Sequence, residues 1–276
     1  MPGQNFKSRI SGSRSSSRFD ETVYFQEVNN EPQSPICRFV EQREVLTRIL
    51  GRELDSDEWR MKANLVTIGI VSSVETFFRG VIRRCLIIDP SSRATSYSNK
   101  LSYGAVLHHG ADLLPEALLE ESNFISKKAI TKTLKEFLGL DMNLQQEPEL
   151  SSALEEYGKV CQLRHCIAHR SGHLGSKNAI ELGLDSFSQH LEKPISLTLD
   201  SVHNVFNICH TLVLESNDFV FDAILDRTVS RGIWTGDLRR DKKEFKKLHE
   251  LFSPEPSCNT SLKLAYRNFI EHYGFA

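Results

Sequence analysis

The sequence has no uninterrupted apolar run approaching the ~18 residues of a membrane-spanning helix, and it has almost no net charge. Its 276 residues include 34 Lys or Arg and 36 Asp or Glu, which gives a formal charge of −2. A chain with so little net charge does not attract nucleic acid over its whole surface, so a phosphate-binding surface has to be local. The first residues also lack the apolar segment of a secretory signal. These absences favour a soluble globular protein that does not bind a membrane.

Cysteine is sparse, and none of the six residues forms a Cys-x-x-Cys pair. We expect reduced thiols in a cytoplasmic protein rather than a disulfide framework. Cys161 and Cys166 lie near His165 and His169, but this spacing matches no common zinc pattern. A helix would also spread these four side chains around its circumference. We therefore expect neither a metal ion nor another cofactor.

Helical periodicity dominates the chain and divides it into four parts. Residues 1–20 are basic and rich in serine, and they are predicted to be a disordered tail. Their composition resembles that of a transit peptide but lacks an amphipathic stripe. Residues 21–56 and 229–276 are predicted to be N-terminal and C-terminal helical extensions. Between them, residues 57–228 are predicted to form a helical domain.

The predicted domain is an up-down bundle, so the fold class expected is all-α. Its main helices are expected near residues 57–88, 126–139, 151–169 and 200–227. Asp55 and Glu58 have capping-box spacing at the first helix, which Pro90 stops. Ser126 and Gly139 are expected to bound the second helix, and Asp200 or Ser201 to cap the fourth.

A small β-hairpin insertion is predicted after the third of these helices. Apolar and polar residues alternate in AIELGL and again in ISLTL, residues 179–184 and 195–199. Strict alternation is typical of a strand with one buried face. We therefore expect two short strands outside the helical core.

An arginine interrupts the apolar stripe of the helix predicted over 151–169. Leu150, Leu154, Tyr157 and Cys161 recur at helical spacing, and the next position is Arg164. Arginine keeps its charge, so it must be paired or reach water there. A local rule broken in a regular helix is typical of a functional site.

His169 follows Arg164 by five residues, which is ~140° round and ~7.5 Å along a continuous helix. The two side chains can meet if the helix ends between them, or if two copies converge in a dimer. The same spacing recurs at Arg267 and His272. Only four residues follow His272, so no closing helix can pack behind this second pair. We interpret it as a decoy.

The stretch LRHCIAHRSG, residues 163–172, resembles the signature of HEPN ribonucleases, an Arg, a polar residue and a short apolar run to His. SSVETFFRGVIRRCLIIDP, residues 72–90, is similar to the first long helix of such domains. The resemblance covers residues 57–228. His165 stands where the family more often has Asn.

The resemblance implies a metal-independent endoribonuclease that acts as a homodimer or higher homo-oligomer. Its chemistry suits the residue types, because RNA supplies its own 2′-OH nucleophile. Histidine moves protons near neutral pH, and arginine stabilises charge on phosphoryl oxygens. The resemblance assigns catalysis to Arg164 and His169.

Other residues near this pair are candidates for supporting roles. His165 is expected to orient the pair, and Glu75 to pair with Arg164 or hold an imidazole. A basic patch that guides RNA is expected at Arg170, His173 and Lys177.

The biological setting comes from the family alone. HEPN ribonucleases are common in toxin and antiphage defence systems, which implies cleavage of cellular RNA, including tRNA, and an antitoxin or other defence protein as a partner. Three alternatives remain open. One is a non-catalytic HEPN domain that binds nucleic acid, nucleotide or protein. Another is the toxin of a HEPN–nucleotidyltransferase pair, against which Ser171 argues because the family has tyrosine there. The last is a structural helical adaptor.

Overall fold

The fold is described from a computed structural model, which describes residues 17–25, 33–110 and 113–275. The predicted tail lies outside the described residues up to residue 16. Residues 17–25 belong to a unit of their own and contain a short 3-10 helix, Glu21–Tyr24. The rest of the described chain, from residue 33 onward, forms the second unit.

The second unit is built from α-helices. They are α1 (Pro35–Leu50), α2 (Asp57–Ile88), α3 (Pro90–Thr95), α4 (Tyr103–His108), α5 (Leu114–Leu118), α6 (Lys127–Leu138), α7 (Pro148–His169), α8 (Ser176–Phe187), α9 (Leu199–Ser230), α10 (Leu238–Phe252) and α11 (Asn259–Tyr273). The chain is 73% helical, which confirms the predicted all-α class.

Helix α2 lies at the centre of this unit, against α1, α6, α7, α9 and α10. Its inward positions Ile70, Val74 and Phe78 are no more than 1% exposed. Contrary to what its interrupted apolar runs led us to expect, α2 contains an 18-residue window with a mean hydropathy of 1.5. Of this window, 56% is buried inside the fold, as in a core helix. Length and apolar composition do not by themselves distinguish a buried core helix from a membrane-spanning helix.

The ends of the predicted helices are mostly where local chemistry placed them. Ser126 caps α6 by accepting from the Ala129 amide, and Gly139 ends it with a left-handed φ of 63°. The expected cap of α2 is wrong by one residue, because the Ser56 hydroxyl accepts from the Trp59 amide. Asp55 instead forms an exposed ion pair with Arg60.

Helix α9 begins slightly earlier than expected. The side chains of Thr198 and Ser201 form a reciprocal capping box at its start, so Asp200 lies in the first turn instead of capping it. The hydroxyl of Ser201 accepts from the Thr198 amide, and its amide donates to the Thr198 hydroxyl.

The predicted β-hairpin is wrong. Residues 179–184 lie within α8, and among the described residues 17–25, 33–110 and 113–275 the only β-pairing is one isolated bridge between His173 and Pro194. Ala179, Leu182 and Phe187 pack against Cys166 of α7 and Leu174 in a small separate cluster. A run of six residues does not distinguish strand alternation from helical spacing, and packing against α7 decides it.

A buried carboxylate holds three helices together where α2 ends. Asp89 is 2% exposed, and its side chain accepts hydrogen bonds from the amides of Ser91 and Ser92 at the start of α3. Arg227 of α9 reaches Asp89 at 3.2 Å and also donates to the Leu138 carbonyl at the end of α6. Burial alone would raise the pKa of Asp89, but these hydrogen bonds and the Arg227 charge outweigh it and lower the pKa.

Candidate functional site

Arg164 lies where the apolar stripe of α7 reaches the protein surface. The stripe is buried as predicted, since Leu150, Leu154, Tyr157 and Cys161 are at most 5% exposed. Arg164 itself is partly exposed, while its Nε is buried and has no hydrogen-bond partner within the described chain. The guanidinium therefore has donor capacity left over at the edge of the core.

Glu75 of α2 lies close enough to Arg164 for their charges to interact. Burial raises the pKa of Glu75, and the charges of Arg164 and Arg79 act in the opposite direction. No N–O distance of 4.0 Å or less joins Glu75 to Arg164 within the described residues, so the expected ion pair is not formed. Glu75 therefore acts on Arg164 only through charge attraction over a longer distance.

The side chains beneath Arg164 are neutral. Burial raises the pKa of the Cys161 thiol to about 12 and holds the pKa of Tyr157 well above its usual value. A thiol with so high a pKa is a poor nucleophile at neutral pH. Cys161 and Tyr157 are thus packing residues, and the reactive groups lie at the surface end of α7.

The two histidines of the motif lie one turn apart on α7. The ring centroids of His165 and His169 are 5.0 Å apart, and the rings are inclined by 51°. His165 is partly buried, whereas His169 is exposed in the last turn. The more exposed imidazole is accessible to a ligand from solvent.

Asn178 of α8 holds His165 in place. Its side-chain nitrogen lies 3.1 Å from His165 Nδ1 and donates to Gln162 Oε1 at 2.9 Å. With the amide as donor, His165 Nδ1 accepts and its proton is on Nε2. Asn178 is 2% exposed, whereas Gln162 and His165 are partly exposed, so the network is buried at its Asn178 end. Sequence reasoning missed Asn178 and Gln162, because no motif links residues on two different helices.

A tight turn brings α8 back against α7. Ser171 and Gly172 both have positive φ, 50° and 79°. The Gly172 amide donates to the Cys166 carbonyl at 3.0 Å, which closes the end of α7. Helix α7 is continuous through His169, so Arg164 and His169 remain on different faces of one helix.

The residues predicted to contact RNA differ in their surroundings. Arg170 forms an ion pair with Glu192 at 2.6 Å, and its guanidinium lies over Gly175, where an added Cβ would be 2.6 Å from Arg170 Nε. His173 Nδ1 lies 3.3 Å from the Arg170 carbonyl. Lys177 is exposed in the first turn of α8. Arg170 thus anchors the segment after α7, and Lys177 is the more accessible cation.

The second Arg–His pair lies on α11. Arg267 and His272 are both exposed, and Arg267 lies 3.7 Å from Glu271. No stripe of buried residues leads to Arg267 as one leads to Arg164, since Lys263 and Leu264, which precede it by four and three residues, are exposed.

Comparison with protein-family models, curated proteins and solved structures finds no match for this chain. The HEPN resemblance therefore depends on the motif in α7 and the order of the helices around it.

Replacing Asn178 with leucine should destabilise the protein by about 1–3 kcal/mol, because Gln162 and His165 would lose a buried partner. It should also remove the hydrogen bond at His165 Nδ1. Thermal unfolding measures the first effect, and ¹⁵N chemical shifts of the imidazole measure the second. The exposed Asn268→Leu is the control. An unchanged ¹⁵N chemical shift of His165 Nδ1 in Asn178→Leu would contradict the assignment.

Replacing Glu75 with glutamine should make the protein more stable at pH 7. Because the pKa of Glu75 is raised in the fold, its charged form is disfavoured there, and the cost appears as pH rises above the usual range near ~4.3. Denaturant unfolding at pH 7 and pH 4 should show a gain that shrinks in acid, where Glu75 is protonated. A loss of stability at pH 7 would show that attraction to Arg164 exceeds the cost of burial.

Proposed function

We propose that this protein is a metal-independent endoribonuclease of the HEPN type, with Arg164 and His169 of α7 as its catalytic pair. The observation that carries this proposal is the position of Arg164. Arg164 continues a buried stripe, and its buried Nε has no hydrogen-bond partner within the described chain. It directly precedes His165, whose ring lies 5.0 Å from that of His169.

The reaction is an attack of the RNA 2′-oxygen on the adjacent phosphorus, with departure of the 5′-oxygen of the next nucleotide. His169 takes the proton from the 2′-OH as general base. Arg164 donates to the phosphoryl oxygens as negative charge grows on them. The imidazolium of His169 formed in this way returns the proton to the departing 5′-oxygen, and His165 orients the pair. The products are a 2′,3′-cyclic phosphate and a 5′-hydroxyl.

A dimer supports this chemistry better than a single chain. Because α7 does not end between Arg164 and His169, the two side chains project ~140° apart, too far round the helix to share one phosphate in a simple way. Two copies that meet along α7 would bring the arginine of one copy near the histidine of the other. A homodimer or higher homo-oligomer is therefore part of the proposal.

The cellular role follows from the family resemblance, with cellular RNA, including tRNA, as substrate and a toxin or antiphage defence setting. An antitoxin or another defence protein is the partner proposed, and the cytoplasm is the location. Purified protein should cleave RNA in the presence of EDTA and leave cyclic phosphate ends. Mapping RNA ends after brief induction in cells identifies the substrate. Absence of cleavage across a panel of tRNA, rRNA and mRNA would overturn the proposal.

A non-catalytic HEPN domain that binds RNA or nucleotide is the second candidate. The observation that favours it is the replacement of the usual Asn by His165, which is taken up by the network with Gln162 and Asn178. Measuring binding and cleavage on the same RNA panel separates the two candidates, because this one predicts binding without cleavage.

A further inference from the structure

A basic cleft lies between the first turns of α1 and the middle of α2, with a volume of about 290 Å³. Arg38 lines it from α1, and Arg79, Arg83 and Arg84 line it from α2. Glu116 is the one acidic side chain among the lining residues. The volume is near the lower end of the range for small-molecule sites, about 300–1,000 Å³.

The positive charge of this cleft is only partly neutralised. Arg83 lies 3.4 Å from Glu116, and this is the single ion pair of a lining arginine within the described residues. Arg84 donates to the Gln33 carbonyl at 2.7 Å, and both burial and the neighbouring Arg83 lower its pKa. Four guanidinium groups against one carboxylate leave a surplus that favours an anion.

The four arginines do not have the same freedom. Arg79 donates to the carbonyls of Leu119 and Ser122 at 2.6 and 2.7 Å, so its guanidinium is committed to the fold. Arg38 is exposed and makes no side-chain hydrogen bond to any described residue. Arg38 is therefore free for a ligand, and Arg83 is held only by a long, half-exposed ion pair with Glu116.

The cleft also contains an acceptor without a donor. Gln42 lines it from α1, and Gln42 Oε1 is buried and has no hydrogen-bond partner among the residues described. A buried acceptor left unpaired costs free energy, and a ligand that brings an N–H or O–H group would remove that cost. Phe39 and Phe77 supply apolar wall beside it.

We propose that this cleft binds a nucleotide, with its phosphate on Arg38 and Arg83 and a base or ribose donor on Gln42. Guanidinium groups bind phosphate through paired, charge-assisted hydrogen bonds. The unpaired amide oxygen favours a ligand that carries a base or ribose donor beside its phosphate, and pyrophosphate has neither group. The size of the cleft fits one nucleotide and not an RNA helix.

This site goes beyond the proposed ribonuclease activity and does not depend on it. Neither Arg164 nor His169 lines the cleft. Arg79 borders the cleft and is also close to Glu75. Its charge opposes the rise in the pKa of Glu75 that burial causes. Because the catalytic pair does not line the cleft, nucleotide binding can be measured in a variant in which Arg164 and His169 are both replaced by alanine.

The test is calorimetric titration of the full chain with ATP, AMP and pyrophosphate, and with a single-stranded RNA whose net charge matches that of ATP. The wild-type protein is compared with the variants Arg38→Gln, Arg83→Gln and Gln42→Leu. Each arginine variant should weaken ATP and AMP binding about 10-fold or more. Gln42→Leu should weaken both nucleotides about 3- to 10-fold and leave pyrophosphate binding unchanged. Arg48→Gln is the matched control, because Arg48 is exposed on α1 but does not line the cleft.

Equal affinity of wild-type protein and both arginine variants for ATP would overturn the site, as would an equal loss in Arg48→Gln. Undetectable nucleotide binding by the wild-type protein would do the same. Binding of pyrophosphate as tightly as ATP, or of RNA alone, would overturn the assignment of the ligand as a nucleotide. These outcomes leave the ribonuclease proposal untouched, since they are measured without cleavage.

Discussion

His169→Ala should lower the rate of RNA cleavage in EDTA by about 10²- to 10⁴-fold, the usual contribution of a general acid–base group. Arg164→Ala should lower it by about 10²- to 10³-fold, because the charge that develops on the phosphoryl oxygens loses its donor. His169 is exposed at the end of α7, so its loss should not unfold the protein. Single-turnover cleavage of a labelled RNA measures both effects, and circular dichroism checks the fold.

The chain contains its own control for this experiment. Arg267 and His272 repeat the spacing of the catalytic pair on α11, where both side chains are exposed. Arg267→Ala and His272→Ala should cleave RNA like the wild type. Full activity of either Arg164→Ala or His169→Ala would contradict the catalytic assignment. A loss of cleavage rate in the α11 variants equal to that in the α7 variants would contradict it too.

Mixing the two inactive variants tests the dimer. If each active site takes Arg164 from one copy and His169 from the other, a mixed dimer of Arg164→Ala and His169→Ala has one intact site. Cleavage should then reappear on mixing, up to a fraction of the wild-type rate. A mixture as inactive as its components would contradict a site shared between copies.

Asp89→Ala should destabilise the protein by about 3–5 kcal/mol, since it leaves a largely buried arginine without its partner charge. The side chain of Asp89 is 1% exposed and that of Arg227 is 22% exposed, so water cannot replace the lost carboxylate fully. The same change removes the side-chain cap of α3. Urea unfolding at pH 7 measures the loss.

The effect of this substitution should also depend on pH. The pKa of Asp89 is lower in the folded protein than in the unfolded chain, where it is about 3.9. Its stabilising contribution is therefore present above that value and is lost as pH falls through the folded pKa. Asp141→Ala is the control, because the Asp141–Lys135 pair is exposed and should change stability by less than about 1 kcal/mol. Equal effects of the two substitutions would contradict the structural role of Asp89.

Local chemistry explains how much of the fold was predictable. The periodicity of residues 57–88 and 200–227 predicted the two longest helices, which extend over Asp57–Ile88 and Leu199–Ser230. Capping side chains and glycines act over a few residues, so Ser126 and Gly139 could be assigned from the sequence. The prediction of a β-hairpin was wrong because a six-residue pattern does not distinguish a strand from a helix without knowledge of what it packs against.

The candidate site was predictable only along one helix. The sequence by itself determined that Arg164 would continue a buried stripe and that His165 and His169 would lie one turn apart, since both follow from helical spacing. Only the tertiary structure decided that Asn178 holds His165, that Glu192 binds Arg170 and that Arg38 faces Arg83 across a cleft. Each of these contacts joins residues that do not share a helix, and helical periodicity says nothing about which segments meet in space.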